Sequence, residues 1–329
     1  MTSPISDPTT YPSDKFSKPG NSSPIEWPTW VLWIVVIASW IGLLHWYSAL
    51  PGWFGTILMT VLLAWYTSFQ HELTHGHPTR NATINRLLGL PPLAIWYPFD
   101  IYKADHLKHH EDAHLTVPGV DTESNYITAE QAAGMGPVAL WLYASQRTVL
   151  GRFLIGPAIV IVSLGTKTYR RVRAGDTAAL KVWAVHLPLV ALLLWGVEEF
   201  TVISAWKYCF GMAYPALGLA MLRSLYEHRP GPSPAHRTVI NQAGFLWRLL
   251  YLNNNYHAVH HAYPELAWYR IPAAYAADRE GYHLRNGGFV VPGYLWLIRN
   301  FAWKVVDSPV LARPQSAPKR PVATVPAQR

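Results

Sequence analysis

The stretch that decides the fold covers residues 27–71 and reads WPTWVLWIVVIASWIGLLHWYSALPGWFGTILMTVLLAWYTSFQH. It contains no Asp, Glu, Lys or Arg, and Leu50-Pro51-Gly52 divides it into two apolar runs, 29–49 and 52–69. Each run has about the 20 residues that a helix needs to cross the hydrocarbon core of a bilayer. Proline and glycine at the junction favour a tight turn. The stretch therefore predicts a transmembrane helical hairpin.

Charge is scarce along the whole chain. Of its 329 residues, 50% are hydrophobic and only 14% are Asp, Glu, Lys or Arg, against about 25% in a soluble globular protein. This composition argues against disorder, a coiled coil and an ordinary soluble core. The single cysteine, Cys209, excludes an intrachain disulfide framework and any four-cysteine metal site.

A second hairpin is predicted at residues 182–197 and 200–222, with Glu198-Glu199 at its turn. The charge-free run at 153–166 is too short for a full crossing, so we expect an interfacial helix at about 150–166. Basic residues concentrate before the second hairpin and in the C-terminal region, and the net charge is +8. Because cytoplasmic loops carry excess Lys and Arg, we expect both termini and the central loop in the cytoplasm.

The predicted fold class is an all-α integral membrane protein, multi-pass, with its membrane domain at residues 27–308. Four transmembrane helices form two hairpins, which are capped by a cytoplasmic helical domain. The Pro-, Ser- and Ala-rich tails are predicted to be disordered. The predicted crossings are about 29–49, 52–69, 182–197 and 200–222, and the tails are 1–26 and 309–329.

Histidines recur in three clusters, here called histidine boxes. The first, HELTH at 71–75, has its histidines four residues apart; HLKHH at 106–110 and HAVHH at 257–261 have the spacing i, i+3, i+4. Each spacing puts the imidazoles on one helical face. In the four-crossing topology all three boxes lie on the cytoplasmic side. The eight imidazoles are those of His71, His75, His106, His109, His110, His257, His260 and His261.

So many imidazoles on one side of a membrane predict metal binding, since packed histidines otherwise compete for partners and repel one another when protonated. Eight ligands exceed a single tetrahedral zinc site. The chain has no thiolate cluster for iron-sulfur, and carboxylate-rich Mg or Ca sites do not fit. Two metals with four to five ligands each suit the count. Two irons are the most economical choice, and spacing alone leaves two zincs open.

The three boxes around two apolar hairpins resemble those of the membrane fatty acid desaturase family, a non-haem diiron superfamily. Flanking motifs add to the resemblance: Gly76-His77-Pro78, Asp121-Thr122-Glu123-Ser124, Asn254-Asn255-Tyr256 and Tyr263-Pro264. The resemblance covers about residues 27–285. It implies an enzyme, an O2-dependent diiron oxidoreductase with O2 as co-substrate, that introduces a double bond into an acyl chain of lipid metabolism.

The resemblance also implies a ninth ligand, His228, near the cytoplasmic end of the last transmembrane helix. Side chains beside the ligands are expected to orient or support them, as carboxylates commonly do for ligand histidines. His77 lies off the stripe of the first box, and His114 continues the stripe of the second. These candidate supporting residues are Glu72, His77, Asp105, Asp112, His114, Glu227, Asn254 and Asn255. No side chain beyond the metal ligands need act as a catalytic group.

The chain carries no dinucleotide fingerprint, iron-sulfur pattern or fused haem domain. A separate electron donor is therefore expected, such as a ferredoxin or cytochrome b5-type carrier, together with a membrane lipid or acyl substrate and no nucleic acid. Three alternatives stay open. The same centre fits a hydroxylase or ketolase of a carotenoid, sterol or alkane; HELTH also satisfies the HExxH pattern of a zinc protease with Glu72 as base; and the protein could store or sense metal.

Overall fold

The first apolar stretch forms a helical hairpin. A computed structural model describes residues 25–111 and 114–311 of the chain. Helix α1 (Trp27–Trp46) ends in a 3-10 turn (Tyr47–Ala49), and α2 (Gly52–Thr74) begins directly after Pro51. Helix α2 continues beyond the predicted end of its apolar run at residue 69, so the first histidine box occupies its last turn. The predicted disordered tails lie largely outside the described residues, and Asp112 lies wholly outside them.

A buried loop, residues 90–98, separates α3 (Ala82–Gly89) from α4 (Phe99–His110), which carries the second box. This loop has little secondary structure of its own, so its carbonyl groups need other partners. Tyr208 donates to the Leu93 carbonyl at 2.8 Å, and His186 Nε2 lies 2.8 Å from the Ile95 oxygen. Irregular backbone packed against membrane helices is tolerated only where such partners exist. The loop thereby fixes where α4 begins.

The region between the two hairpins is built from short helices. The single interfacial helix predicted at about 150–166 is wrong, because the chain forms two helices that meet at Ile155 and the second continues to Arg173. Pro157 explains the break, since it has no amide hydrogen and its ring crowds the carbonyl four residues earlier. The elements of this region are β1 (Ile127–Thr128), α5 (Ala129–Ala133), α6 (Pro137–Ser145), α7 (Val149–Leu154) and α8 (Gly156–Arg173).

The second hairpin differs from its prediction in two details. Helix α9 (Ala178–Phe200) continues through Glu198-Glu199, and the turn follows at residues 201–204. The returning segment is a π-helix (Lys207–Ala213) followed by α10 (Tyr214–Arg223). Pro215, near the start of α10, accounts for the widened turns before it, because it cannot donate to Gly211 in a regular α-helical bond.

Three helices of the described part are long and apolar enough to cross a membrane: Trp27–Ala49, Gly52–Thr74 and Ala178–Phe200. The fourth predicted crossing, 200–222, is divided between the π-helix and α10, so neither piece reaches the length of a span by itself. The four-crossing topology and the cytoplasmic side of the boxes stay predictions.

The C-terminal third folds back onto the centre of the molecule. Short parallel strand pairs hold it, with Ile240 opposite Val290 and Ile127 opposite Val310. The second pair uses β4, which lies inside the predicted C-terminal tail. The elements are β2 (Ile240–Asn241), α11 (Phe245–Leu250), α12 (His257–Ala262), α13 (Ile271–Ala277), α14 (Arg279–Arg285), β3 (Val290–Val291), α15 (Tyr294–Phe301) and β4 (Val310–Leu311).

Candidate metal centre

Helices α2, α4 and α12 bring the three histidine boxes to one place, together with His228 just after α10. Nine histidines form two groups, and within each group one potential ligand atom per residue lies within 4.8 Å of the others. The five-histidine group consists of His71, His75, His106, His110 and His260. The four-histidine group consists of His109, His228, His257 and His261. These are the nine residues predicted as ligands.

The second and third boxes each supply both groups. In the second box, His106 and His110 belong to the five-histidine group, whereas His109 belongs to the other. The third box reverses this division: His257 and His261 enter the four-histidine group, and His260 crosses to the five-histidine group. All three positions lie on one helical face, but residues i+4 and i+3 lie on opposite sides of residue i, about 40° and about 60° around the helix axis. The two groups are therefore adjacent, and both contain histidines from α4 and from α12.

Hydrogen bonds fix the ring orientation in the four-histidine group. His109 Nδ1 lies 2.7 Å from Asp121 Oδ1, and His257 Nδ1 lies 2.9 Å from Asn254 Oδ1. The Nδ1 of His228 lies 3.1 Å from the Arg237 carbonyl oxygen. Because these partners are acceptors, each Nδ1 carries the hydrogen, so in the neutral ring each Nε2 presents a lone pair.

These lone pairs converge. His228 Nε2 is 3.1 Å from His109 Nε2 and 3.0 Å from His257 Nε2. His261 Nε2 lies 3.0 Å from His257 Nε2. Unprotonated nitrogens at such distances repel unless a cation lies among them, and neutral imidazole is a common ligand of Fe, Zn, Cu and Ni. The donor set of this group therefore fits a bound metal ion.

The five-histidine group follows the same pattern. His106 Nδ1 lies 2.8 Å from Glu123 Oε1, which leaves its Nε2 as an acceptor. That Nε2 is 2.9 Å from His75 Nε2 and 3.1 Å from His110 Nε2, and His260 Nε2 is 2.9 Å from His110 Nε2. The histidines of this group are buried, except for His110, which is half-buried. This group therefore also fits a metal ion.

Burial keeps most of these imidazoles neutral. Burial is the main reason that the pKa falls to about 2 for His110 and to about 3 for His228. Neighbouring histidines lower both pKa values further. His109 differs, because Glu123 and Asp121 outweigh its burial and raise its pKa to about 9. Since a proton and a metal ion compete for the same lone pair, low pKa values favour metal binding at neutral pH.

Three of the predicted supporting residues contact the histidines. Glu72 accepts from the Trp268 backbone amide at 3.0 Å and lies 3.4 Å from His71 Nδ1. Glu227 lies 3.6 Å from His257 Nδ1. Asn254 contacts one histidine of each group, since its Nδ2 lies 3.1 Å from His71 Nε2 while its Oδ1 holds His257. Asn254 thereby links the two groups.

Other predicted supporting residues have different contacts. His77 lies 2.8 Å from the Glu26 carboxylate, and Asp105 accepts from the Tyr97 hydroxyl at 3.0 Å. The Asn255 side chain donates to the Asn241 carbonyl. His114 is half-buried and belongs to neither histidine group of the described chain.

Two carboxylates that contact histidines of the groups were not predicted from the sequence. Glu123 contacts His106, and Asp121 contacts His109. Both come from the loop after α4, where Asp121 also accepts from the backbone amides of Thr116 and Glu123 at 2.8 and 2.9 Å. These backbone contacts hold the Asp121 carboxylate in place beside His109. The available signal was the motif Asp121-Thr122-Glu123-Ser124, whose two acidic residues had no assigned role.

A cavity of about 300 Å³ reaches both groups. It lies among α2, α4, α8 and α10, and its walls include His71 of the five-histidine group and His228 of the four-histidine group. Apolar side chains from α8 and α10, such as Ile159 and Leu217, line one part. The cavity can therefore bring a partly apolar substrate to the histidines.

Comparison with protein families is consistent with this arrangement. A family model described as Fatty acid desaturase matches residues 47–292, which span all three boxes and His228. The chain belongs to the fatty acid desaturase family. The resemblance inferred from the histidine boxes is thus confirmed, whereas a comparison with curated proteins yields no significant match.

Membership in the fatty acid desaturase family has general consequences for this chain. It implies an oxidoreductase of the desaturase or hydroxylase type, with an acyl lipid as substrate and an electron donor. Together with the three apolar helices, it indicates a membrane protein. The histidine groups are compatible with metal binding, and the family suggests iron.

Proposed function

We propose that this protein is a membrane acyl-chain desaturase whose two irons are held by the five-histidine and four-histidine groups. One observation carries the proposal: nine imidazoles form two adjacent groups, four of them have an Nδ1 held by an acceptor, and the Nε2 atoms of eight converge. Bound irons would supply the O2-dependent oxidation that removes hydrogen from an unactivated methylene. A separate carrier would deliver the electrons.

The family and the donor set favour iron over a single zinc site. The fatty acid desaturase family suggests iron, and imidazole is a common ligand of iron. A single zinc site takes four ligands, whereas the nine imidazoles divide into a group of five and a group of four.

The chain's own residues would orient the imidazoles, hold the substrate and exclude bulk water. Asp121, Glu123 and the Arg237 carbonyl orient three imidazoles through Nδ1. The cavity walls would hold the substrate methylene beside His71 and His228 and keep bulk water away from the reaction. No protein side chain need accept a substrate proton in this scheme.

A zinc-protease function has less support. Its general base would be Glu72, but that carboxylate is bound to the Trp268 amide, is 3% exposed and does not line the cavity. A base must reach the water or substrate that it deprotonates. These contacts favour a supporting position for Glu72 beside His71 over the role of general base.

The test combines metal analysis with product analysis. The purified full chain should contain about two irons, and a host that expresses it should accumulate new double bonds in its acyl lipids only when O2 is present. The His110→Ala variant should lose about one of the two irons together with the product, while His45→Ala, at an exposed position of α1, should retain both irons and the product. One zinc and no iron per chain would refute the proposal. New hydroxyl or keto groups without double bonds would instead support the hydroxylase alternative.

A further inference from the structure

One cation in the cavity wall has no counter-ion. Arg152, on α7, is 2% exposed and lines the same cavity as His71 and His228. No carboxylate oxygen of residues 25–111 or 114–311 lies within 4.0 Å of its guanidinium. A buried charge is costly unless it is paired, so an unpaired guanidinium beside a cavity points to an anionic ligand.

Neutral acceptors hold the Arg152 guanidinium in place. Its Nη1 donates to Asn125 Oδ1 at 2.8 Å and to Gln146 Oε1 at 3.3 Å. Its Nη2 donates to Ser224 Oγ at 2.8 Å, and its Nε donates to the Met221 carbonyl at 3.2 Å. A guanidinium has five N–H donors, and these four contacts leave one on Nη2. The side chain is therefore fixed and still able to bind an oxyanion.

The acidic residues of the cavity wall already have partners. Glu123 holds His106, Glu227 lies 3.6 Å from Arg223, and Asp105 accepts from Tyr97. Burial lowers the pKa of Arg152 to about 10, with nearby Arg147 as a further cause, so the guanidinium keeps its charge at neutral pH. A second cation, the exposed Lys167, also borders the cavity. Three carboxylates and three cations line the cavity, and Arg152 is the buried cation among them with no carboxylate of the described residues within 4.0 Å of its guanidinium.

We infer that the substrate of this centre presents an oxyanion, a carboxylate or a phosphate, to Arg152 inside the cavity. This inference rests on the proposed function and specifies its substrate class. Since one cavity contains both Arg152 and the histidines, one substrate can place its oxyanion at Arg152 and its reacting carbon beside the histidines. A wall that bound only the methyl end of a long chain would leave the remaining N–H donor of Arg152 without an acceptor, because hydrocarbon cannot pair with it.

Paired ligands test the inference on the iron-loaded full chain in lipid nanodiscs. Octanoate and octanamide have similar size and differ in charge, and calorimetry measures the binding of each. Octanoate should bind at least about ten-fold more tightly, since hydrogen bonds between ionised partners are stronger than neutral ones. Arg152→Gln should remove most of this preference, Arg152→Lys should retain part of it, and Arg299→Gln, at an exposed position of α15, should leave it unchanged.

Octyl phosphate identifies the source of the oxyanion. Tighter binding than octanoate, again lost in Arg152→Gln, would support a phosphate head group, whereas weaker binding would support a carboxylate. Equal affinity for octanoate and octanamide in the unsubstituted chain would overturn the inference, and so would a preference that survives in Arg152→Gln. The first comparison needs no variant, so a misfolded Arg152→Gln protein does not block the test.

Iron content, measured on the same preparations, separates this inference from the proposed function. A chain with two irons and O2-dependent desaturation but no preference for octanoate over octanamide would contradict this inference and leave the proposed function intact. A chain that prefers octanoate but binds no iron would support the role of Arg152 and contradict the proposed function.

Discussion

The imidazole of His109 and the carboxylate of Asp121 form a contact of 2.7 Å between two side chains that are each 1% exposed. Asp121 is also bound to two backbone amides, so it cannot turn away from the ring. Partners of this kind fix the tautomer and direction of a metal ligand and raise its basicity. The geometry of the four-histidine group therefore depends on a residue that touches no metal.

Asp121→Ala should lower iron affinity roughly 10- to 100-fold, because the His109 ring loses its orientation and its charge partner. Iron retained per chain, measured across a series of chelator concentrations, checks this. Asp100→Asn is the matched control, since that carboxylate pairs with Arg86 at the surface and contacts no histidine of the site. Unchanged iron retention in Asp121→Ala would contradict the assigned role.

The division of histidines between the groups predicts which substitutions act together. His75→Ala and His260→Ala both affect the five-histidine group, so either alone should leave about one tightly bound iron and the double variant should lose little more. His260→Ala combined with His261→Ala should lose both irons, although the two residues are adjacent in sequence. Iron quantification of the five proteins checks the pattern. Equivalent behaviour of the two double variants would show that the division is wrong.

A bulky residue at the cavity wall should block substrate without disturbing the metal centre. Ser163 of α8 lines the cavity, while its neighbour Val162 is 67% exposed and does not. Ser163→Phe should reduce product formation roughly 100-fold, since a displacement of about 1 Å can have that effect. Val162→Phe should remain active, and both variants should contain the same iron as the unsubstituted chain. Full activity of Ser163→Phe would exclude this cavity as the substrate site.

Arg147 should be required for stability. It is 1% exposed, pairs with Asp307, and donates to the Tyr126 hydroxyl and the Leu225 carbonyl at 3.0 and 3.2 Å. Arg147→Met would leave these acceptors without their donor, at a cost of roughly 3 kcal/mol of unfolding free energy.

Thermal unfolding in detergent measures this effect. The control is Arg171→Met, which removes a pair with Asp176 in which both side chains are well exposed to solvent. Its unfolding midpoint should match that of the unsubstituted chain. If the two variants unfold at the same temperature, the buried network contributes no more than a surface pair does.

Sequence periodicity was sufficient to find eight of the nine histidines, because ligands of one box are close along the chain; the ninth, His228, was predicted from the family resemblance. It could not divide them into groups, since the division depends on how α4 and α12 face each other across the site. The carboxylates of Asp121 and Glu123 were missed for a related reason. They lie 12 and 17 residues from the rings they contact, and only the folded loop brings them there.

The structure differs from the predicted helices at two breaks in helical hydrogen bonding, while the four-crossing topology stays a prediction. Pro157 and Pro215 lie in apolar runs that hydropathy reads as continuous, but the proline ring interrupts the local hydrogen bonding in each case. Adjacency in sequence was also a poor guide to support of the ligands. His77 and Asp105 are near ligands along the chain, yet they contact Glu26 and Tyr97.

The shared use of α4 and α12 constrains how this architecture can change. Deleting the second or third box removes ligands from both groups at once, so no such deletion converts the protein into a form with a single metal site. Neither group can be complete until both helices have docked, which couples the assembly of one site to that of the other.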